Sequence, residues 1–93
     1  MKIIFTENYL EALRKQTKYI ATDKPKAALK FKKDLISILK KDLNYPFHYK
    51  KSYYFDDENR RDYVFKGYTS IFEVDSDQQI VTVFAFIKYM ENL

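Results

Sequence analysis

The sequence predicts one α+β domain in which a helical hairpin covers an antiparallel sheet, and three observations predict it. Two segments between residues 6 and 43 carry apolar residues at helical spacing. Two strand-like runs after Asp62 meet at the only glycine, Gly67. Residues 80–87 are then apolar at every position except Thr82. With a short strand at the start, the order is β-α-α-β-β-β, without internal repeats.

Composition sets the limits. Ninety-three residues, 46% of them hydrophobic, fit a single core, so one domain over 1–93 with no linker is expected. Without cysteine, no disulfide or thiolate metal site can staple the fold. Eight Phe and nine Tyr compensate, since a large ring buries about 150–250 Å². No stretch approaches the roughly 20 apolar residues that span a bilayer, and the start lacks a signal-peptide pattern, so a cytoplasmic protein without membrane contact is expected. A net charge of +4 favours encounter with nucleic acid, ribosomes or an acidic protein.

Residues 2–5 form a short strand. Thr6 can cap a first helix whose apolar positions Leu10, Leu13 and Ile20 fall near one face, with Thr17 between, ending near Ala21. Thr22 or Asp23 can cap a second helix, where Pro25 in the first turn loses no hydrogen bond; it runs to about Leu43. Its inner stripe is Ala28, Phe31, Leu35, Ile38 and Leu39. Leu29, Ile36 and Leu43 recur seven residues apart on a neighbouring strip, with Lys33 and Lys40 beside them. That strip is either further core or a groove for a partner segment. Lys24, Lys26, Lys30, Lys32, Lys33, Lys40 and Lys41 crowd the same helix, as a wet face or as an attractor of an acidic segment or DNA phosphate.

Asn44, Tyr45 and Pro46 stop the second helix, and residues 47–61 read as an ordered loop. Its aromatics and lysines, Phe47 to Tyr54, could stack on single-stranded nucleic acid; core packing with solvated lysines is the preferred reading. Lys66 and Gly67 make a turn or bulge that tolerates positive φ, and Tyr68, Phe72 and Val74 share a face of the following strand. Asp75 to Gln79 form a polar turn. The last strand should be central and covered on both faces. His48 is the only histidine, and Asp56, Asp57 and Glu58 read as a solvated loop, so neither metal nor cofactor is expected.

This order, at this length and charge, resembles the RelE/ParE toxin superfamily of type II toxin–antitoxin systems, which includes plasmid-stabilisation modules. The residues that carry the resemblance are Ala28-Leu29-Lys30-Phe31, Phe55 to Asp62, Val64-Phe65-Lys66-Gly67-Tyr68 and the strand Ile80 to Ile87. The family's arginine before the second strand and its Y-x-x-x-[YF] pattern correspond to Arg61, Tyr68 and Phe72, with Gly67 before the tyrosine. The resemblance implies a hetero-oligomer with a cognate antitoxin, whose C-terminal segment lies over the helical hairpin and sheet edge. It places Leu29, Lys33, Ile36, Lys40 and Leu43 in that contact.

RelE-like members cut ribosome-bound mRNA, a reaction that needs cations around the scissile phosphate and an acid–base group. Aligned on Gly67-Tyr68, Thr69 stands where those toxins carry a functional arginine, and the C-terminal Lys88 to Leu93 contains none. Arg61, Lys66, Lys88 and Tyr89 remain as the candidate ribonuclease set. ParE-like members lack that constellation and are associated with DNA gyrase, so the resemblance favours a binding toxin over an enzyme. A non-toxic antitoxin-binding remnant is the third reading.

Overall fold

The computed structural model describes residues 1–88: β1 (Lys2–Phe5), α1 (Glu7–Ala21), α2 (Pro25–Asp42), a 3-10 turn at Pro46–His48, β2 (Arg60–Phe65), β3 (Tyr68–Asp75) and β4 (Ile80–Lys88). The α+β order matches the expectation. Thr6 caps α1 as anticipated, its hydroxyl accepting from the Tyr9 amide at 3.1 Å. Neither Thr22 nor Asp23 caps α2. Thr22 instead donates to the Tyr19 carbonyl at 2.6 Å and closes α1, while Lys24 holds the N-cap of α2 without a side-chain bond. Pro25 alone marks that start, because its missing N–H coincides with a helix donor that has no partner anyway.

The strands form one sheet in the order β1-β4-β3-β2. The meander of β2, β3 and β4 is antiparallel, whereas β1 joins parallel to β4, with Ile3 opposite Val81 and Phe5 opposite Val83. Lys66 and Gly67, at φ 50° and 83°, make the two-residue turn between β2 and β3, whose positive φ values match the twist of the strands it joins. A Cβ on Gly67 would meet nothing within 4 Å, so the backbone angle alone calls for glycine here.

Helices cover one face of the sheet. The two fully buried residues of β4, Val81 and Val83, face them. Phe72 pairs with Val83 but Ile71 pairs with Ala85, so Phe84 is an extra residue that bulges β4 and reverses its alternation. Phe84 therefore turns away from the helices and meets Phe55 edge-on at 5.6 Å, while Phe86 returns to the helix side against Tyr9 and Tyr68. The expectation of cover on both faces is corrected: β4 lies inside the sheet, yet Phe84, Ala85 and Ile87 are only half-buried.

The core joins Tyr9 and Leu13 of α1, Phe31, Leu35 and Leu39 of α2, then Leu43, Tyr63, Phe72, Val74, Val81 and Val83. On α1, Leu13 and Thr17 point inward as expected, but Leu10 is largely exposed and Tyr9 takes the inner position. The Tyr9 hydroxyl lies 2.8 Å from Ser70 Oγ, which gives both buried groups a partner. Tyr63 donates to Asp42 Oδ2 at 2.7 Å and ties the end of α2 to β2. Among the described residues, no helix is long and apolar enough to cross a membrane.

These tyrosines give the fold an alkaline limit. Burial, partly offset by the Ser70 bond, pushes the Tyr9 hydroxyl up to about 12; burial, then the hydrogen bond and charge of Asp42, raise Tyr63. The unfolded chain releases these protons first, near pH 10, so the tyrosines' contribution to stability is constant below pH 10 and is lost as pH rises beyond it. Tyr9 alone should cost about 2–3 kcal/mol by pH 12, at roughly 1.36 kcal/mol per unit. Denaturant midpoints at pH 8, 10 and 11.5 check this, and a Tyr9→Phe chain should lose less between the last two. A flat profile to pH 11.5 contradicts it.

Candidate functional site

The outer side of α2 carries apolar surface that stays open among the described residues. Leu29 is 74% exposed and Ile36, two turns on, is half-buried. With Lys32, Lys33, Ser37 and Lys40 they line a shallow groove of about 560 Å³. On the other side of Leu29, a second depression runs between the helices, floored by Thr17, Ala21, Pro25 and Ala28 and bordered by Arg14, Lys18 and Lys32. Leu29 is thus the ridge of a continuous apolar strip on the hairpin, its rims cationic.

The helix geometry explains this placement. Seven residues nearly complete two turns, so Leu29 and Ile36 return to one side, about 100° from the inner stripe of Phe31, Leu35 and Leu39. Leu43 does not continue the strip. It follows the last residue of α2 and is fully buried in the core, so its inclusion in the partner contact is corrected. Its amide still donates to the Leu39 carbonyl at 3.0 Å, so Leu43 keeps its place on the helical repeat and differs only in that the core closes over it.

Electrostatics single out the same layer. Residues 7–42 hold ten Lys and Arg against five Asp and Glu, leaving seven against eight in the rest of the chain, so the whole net positive charge resides in the hairpin. Both acids of α2 are engaged: Asp34 with Lys30 at 3.1 Å, and Asp42 with Tyr63. Among the described residues, Lys32, Lys33 and Lys40 form no salt bridge. The groove can therefore take an amphipathic segment that offers apolar side chains to Leu29 and Ile36 and carboxylates to the rim.

The residues of the family pattern turn out to be structural. Arg61 donates from Nε to the Glu58 carbonyl at 2.9 Å and from Nη1 to the Tyr49 carbonyl at 3.0 Å. Its guanidinium also sits 4.9 Å from the Phe47 ring centroid and 3.6 Å from the Glu58 carboxylate, so it clasps the loop to β2. Tyr68 stacks on Phe86 at 5.1 Å, touches Phe31, and accepts from Gln16 at 3.0 Å. Phe72 is fully buried.

The candidate ribonuclease set is not assembled around one point. Arg61 and Lys66 are separated by five residues along β2, about 17 Å of extended chain. Lys66 and Lys88 do share the other end of the sheet, where the Lys88 ammonium lies 5.9 Å from the Tyr19 ring centroid and the Lys66 ammonium 5.4 Å from that of Phe65. Tyr89 lies outside the described residues. Thr69 is buried on the sheet face turned away from the helices.

The loop aromatics divide. Tyr49 packs against Tyr63 and Phe72 at the edge of the core, as core packing required. Phe47, Tyr53 and Tyr54 are exposed, which corrects that reading for them. Lys51 is a surface partner of Asp56 at 2.8 Å, which draws the lysine's pKa up and the carboxyl's down. Among the described residues no group of His, Asp and Glu has the arrangement of a metal site.

Known proteins show where this architecture recurs. A family model described as the ParE toxin of the type II toxin–antitoxin system parDE matches residues 3–93. Among solved structures, one titled chromosomal ParDE TA system from P. aeruginosa superposes with a TM-score of 0.74 at 13% identity, covering 97% of both chains. A search of curated proteins finds no match. At that identity the structural likeness speaks for the fold, while the family model speaks for the sequence along nearly its whole length.

Proposed function

The chain belongs to the ParE toxin family of type II toxin–antitoxin systems, and from that premise we propose that it is a growth-inhibiting toxin acting through DNA gyrase, held inactive by a cognate antitoxin seated on the α-hairpin. The single observation that carries the antitoxin contact is the strip of exposed Leu29 and half-buried Ile36 between lysines that form no salt bridge among the described residues. An antitoxin segment that is helical or extended, apolar on one side and acidic on the other, fits it. Its affinity should fall with salt because the rim contacts are exposed ion pairs, while the apolar contacts persist.

Support for a binding toxin over a ribonuclease comes from the occupied Arg61 and its distance from Lys66. A toxin of this kind acts by binding one state of the enzyme–DNA complex more tightly than the others, which needs no acid–base pair. The deciding experiment is induced expression in bacteria without antitoxin, with new DNA and new protein labelled separately in the first minutes. Early loss of DNA synthesis, with an SOS response and intact translation, is the expected result. Immediate translation arrest with A-site mRNA cleavage would overturn it in favour of a ribonuclease, and absence of growth arrest would make the chain a non-toxic antitoxin-binding remnant.

A further inference from the structure

One end of the molecule is strongly basic in a way that no single segment reveals. The last turn of α1 reaches this end, because Tyr19 lies under Lys88 and Gln16 bonds Tyr68. So does the start of α2: Phe31 packs on Phe65 at 5.8 Å and on Tyr68 at 5.1 Å, beside the β2–β3 turn. Lys24 and Lys26 precede Phe31 by seven and five residues, which at about 1.5 Å per residue places them roughly 8–10 Å from Phe31 along the helix axis, toward the α1–α2 turn. Lys66 in the turn and Lys88 at the end of β4 complete the set. All four are exposed, and Asp23 is the one acid among residues 18–26.

The other end of the sheet is different in kind. There Asp57, Glu73, Asp75 and Asp77 line one depression, with Arg60 paired to Glu73 at 3.0 Å. Among the described residues, Lys24, Lys26, Lys66 and Lys88 form no salt bridge, so charge is polarised along the strands, with these cations at the α1–α2 turn, the β2–β3 turn and the end of β4.

We propose that this basic end is a second binding surface, separate from the α2 groove, and that its ligand is the phosphate backbone of duplex DNA. Four lysines on long flexible stems supply point charges within reach of successive phosphates without demanding fixed geometry. A protein partner would instead need a desolvated apolar centre. Among the described residues, Tyr19 is the one largely exposed ring at this end, and the exposed Leu29 and the groove beside it lie further along α2. The contact is sequence-independent and lets the toxin hold DNA while the groove is occupied. It does not depend on which enzyme the toxin inhibits.

The test is fluorescence anisotropy of the full chain with a labelled 30-base-pair duplex, at salt concentrations from 50 to 300 mM. A Lys24→Gln/Lys26→Gln/Lys66→Gln/Lys88→Gln chain is compared with Lys32→Gln/Lys33→Gln/Lys40→Gln/Lys41→Gln, which loses the same charge elsewhere. The first should bind at least 10-fold more weakly at 50 mM salt, and its slope of log K against log salt should be shallower by about 3–4, near 0.9 per lost contact. The second should lose at most a few-fold. Circular dichroism confirms that both remain folded, since every substituted lysine is exposed. Equal losses in the two chains, salt-insensitive binding, or no binding at 50 mM would overturn the proposal. Tighter binding of a single-stranded RNA of equal length would overturn the choice of duplex DNA.

Discussion

Replacing both Leu29 and Ile36 by alanine should weaken antitoxin binding by roughly 100- to 10,000-fold while leaving the toxin folded and toxic. Each side chain loses about 1.5–3 kcal/mol of apolar contact if the antitoxin covers it, and about 1.4 kcal/mol corresponds to tenfold in Kd. Alanine preserves the helix, being its best former. Leu29 is exposed in the free chain, so its loss leaves no cavity, and Ile36 is only half-buried. In cells the double substitution should therefore escape neutralisation and arrest growth despite the antitoxin. Calorimetric titration checks the affinity directly. An unchanged Kd would remove the groove from the antitoxin contact, and lost toxicity would mean that the same strip also serves the target.

Phe72→Ala should have the largest effect on the fold. Phe72 is fully buried at the centre of β3, opposite Val83 and edge-on to Tyr49 at 6.3 Å. Removing a ring from such a place costs about 3–5 kcal/mol, the spread depending on how far the site collapses. A domain of this size is stable by only about 5–15 kcal/mol in total, and each kcal/mol shifts Tm by roughly 4–8 °C. A Tm lower by at least about 12 °C is expected in a thermal melt followed by circular dichroism, with antitoxin binding lost above the new midpoint. A shift under about 5 °C would mean that Phe72 does not organise the sheet. The contrast with Arg61 is instructive: one member of the family pattern fills the core, and the other fastens a loop.

The legible parts of the fold were those set by neighbours in sequence. Helical spacing gave both helices to within a residue or two, Pro25 marked the start of α2, and the lone glycine marked the β2–β3 turn. On the inner stripe of α2, Ala28, Phe31, Leu35 and Leu39 are buried as read and Ile38 is half-buried, because a 3.6-residue period sets each side chain's direction once the helix forms. Errors arose where distant segments compete for one place. Tyr9, four residues before Leu13, takes the inner side of α1 rather than Leu10, and Ser70, sixty-one residues away, supplies the partner that lets its hydroxyl be buried. Nothing within α1 announces that bond.

The candidate site divides in the same manner. The repeat put Leu29, Ile36 and Leu43 on one strip but left it as either core or groove; the structure exposes Leu29 and closes the core over Leu43, although the Leu43 amide still bonds the Leu39 carbonyl. By itself the sequence determined the α+β order, the apolar strip with its cationic rim, and the family. Only the tertiary structure decided that β1 pairs with β4, that a bulge at Phe84 turns β4 over, that Arg61 is taken up by the loop, and that Lys24, Lys26, Lys66 and Lys88 gather at one end. The reason is physical. Period, turn and cap follow from local backbone sterics and one stretch of residues, whereas strand partners, loop clasps and charge poles follow from which distant surfaces bury each other, and that is settled only when the core closes.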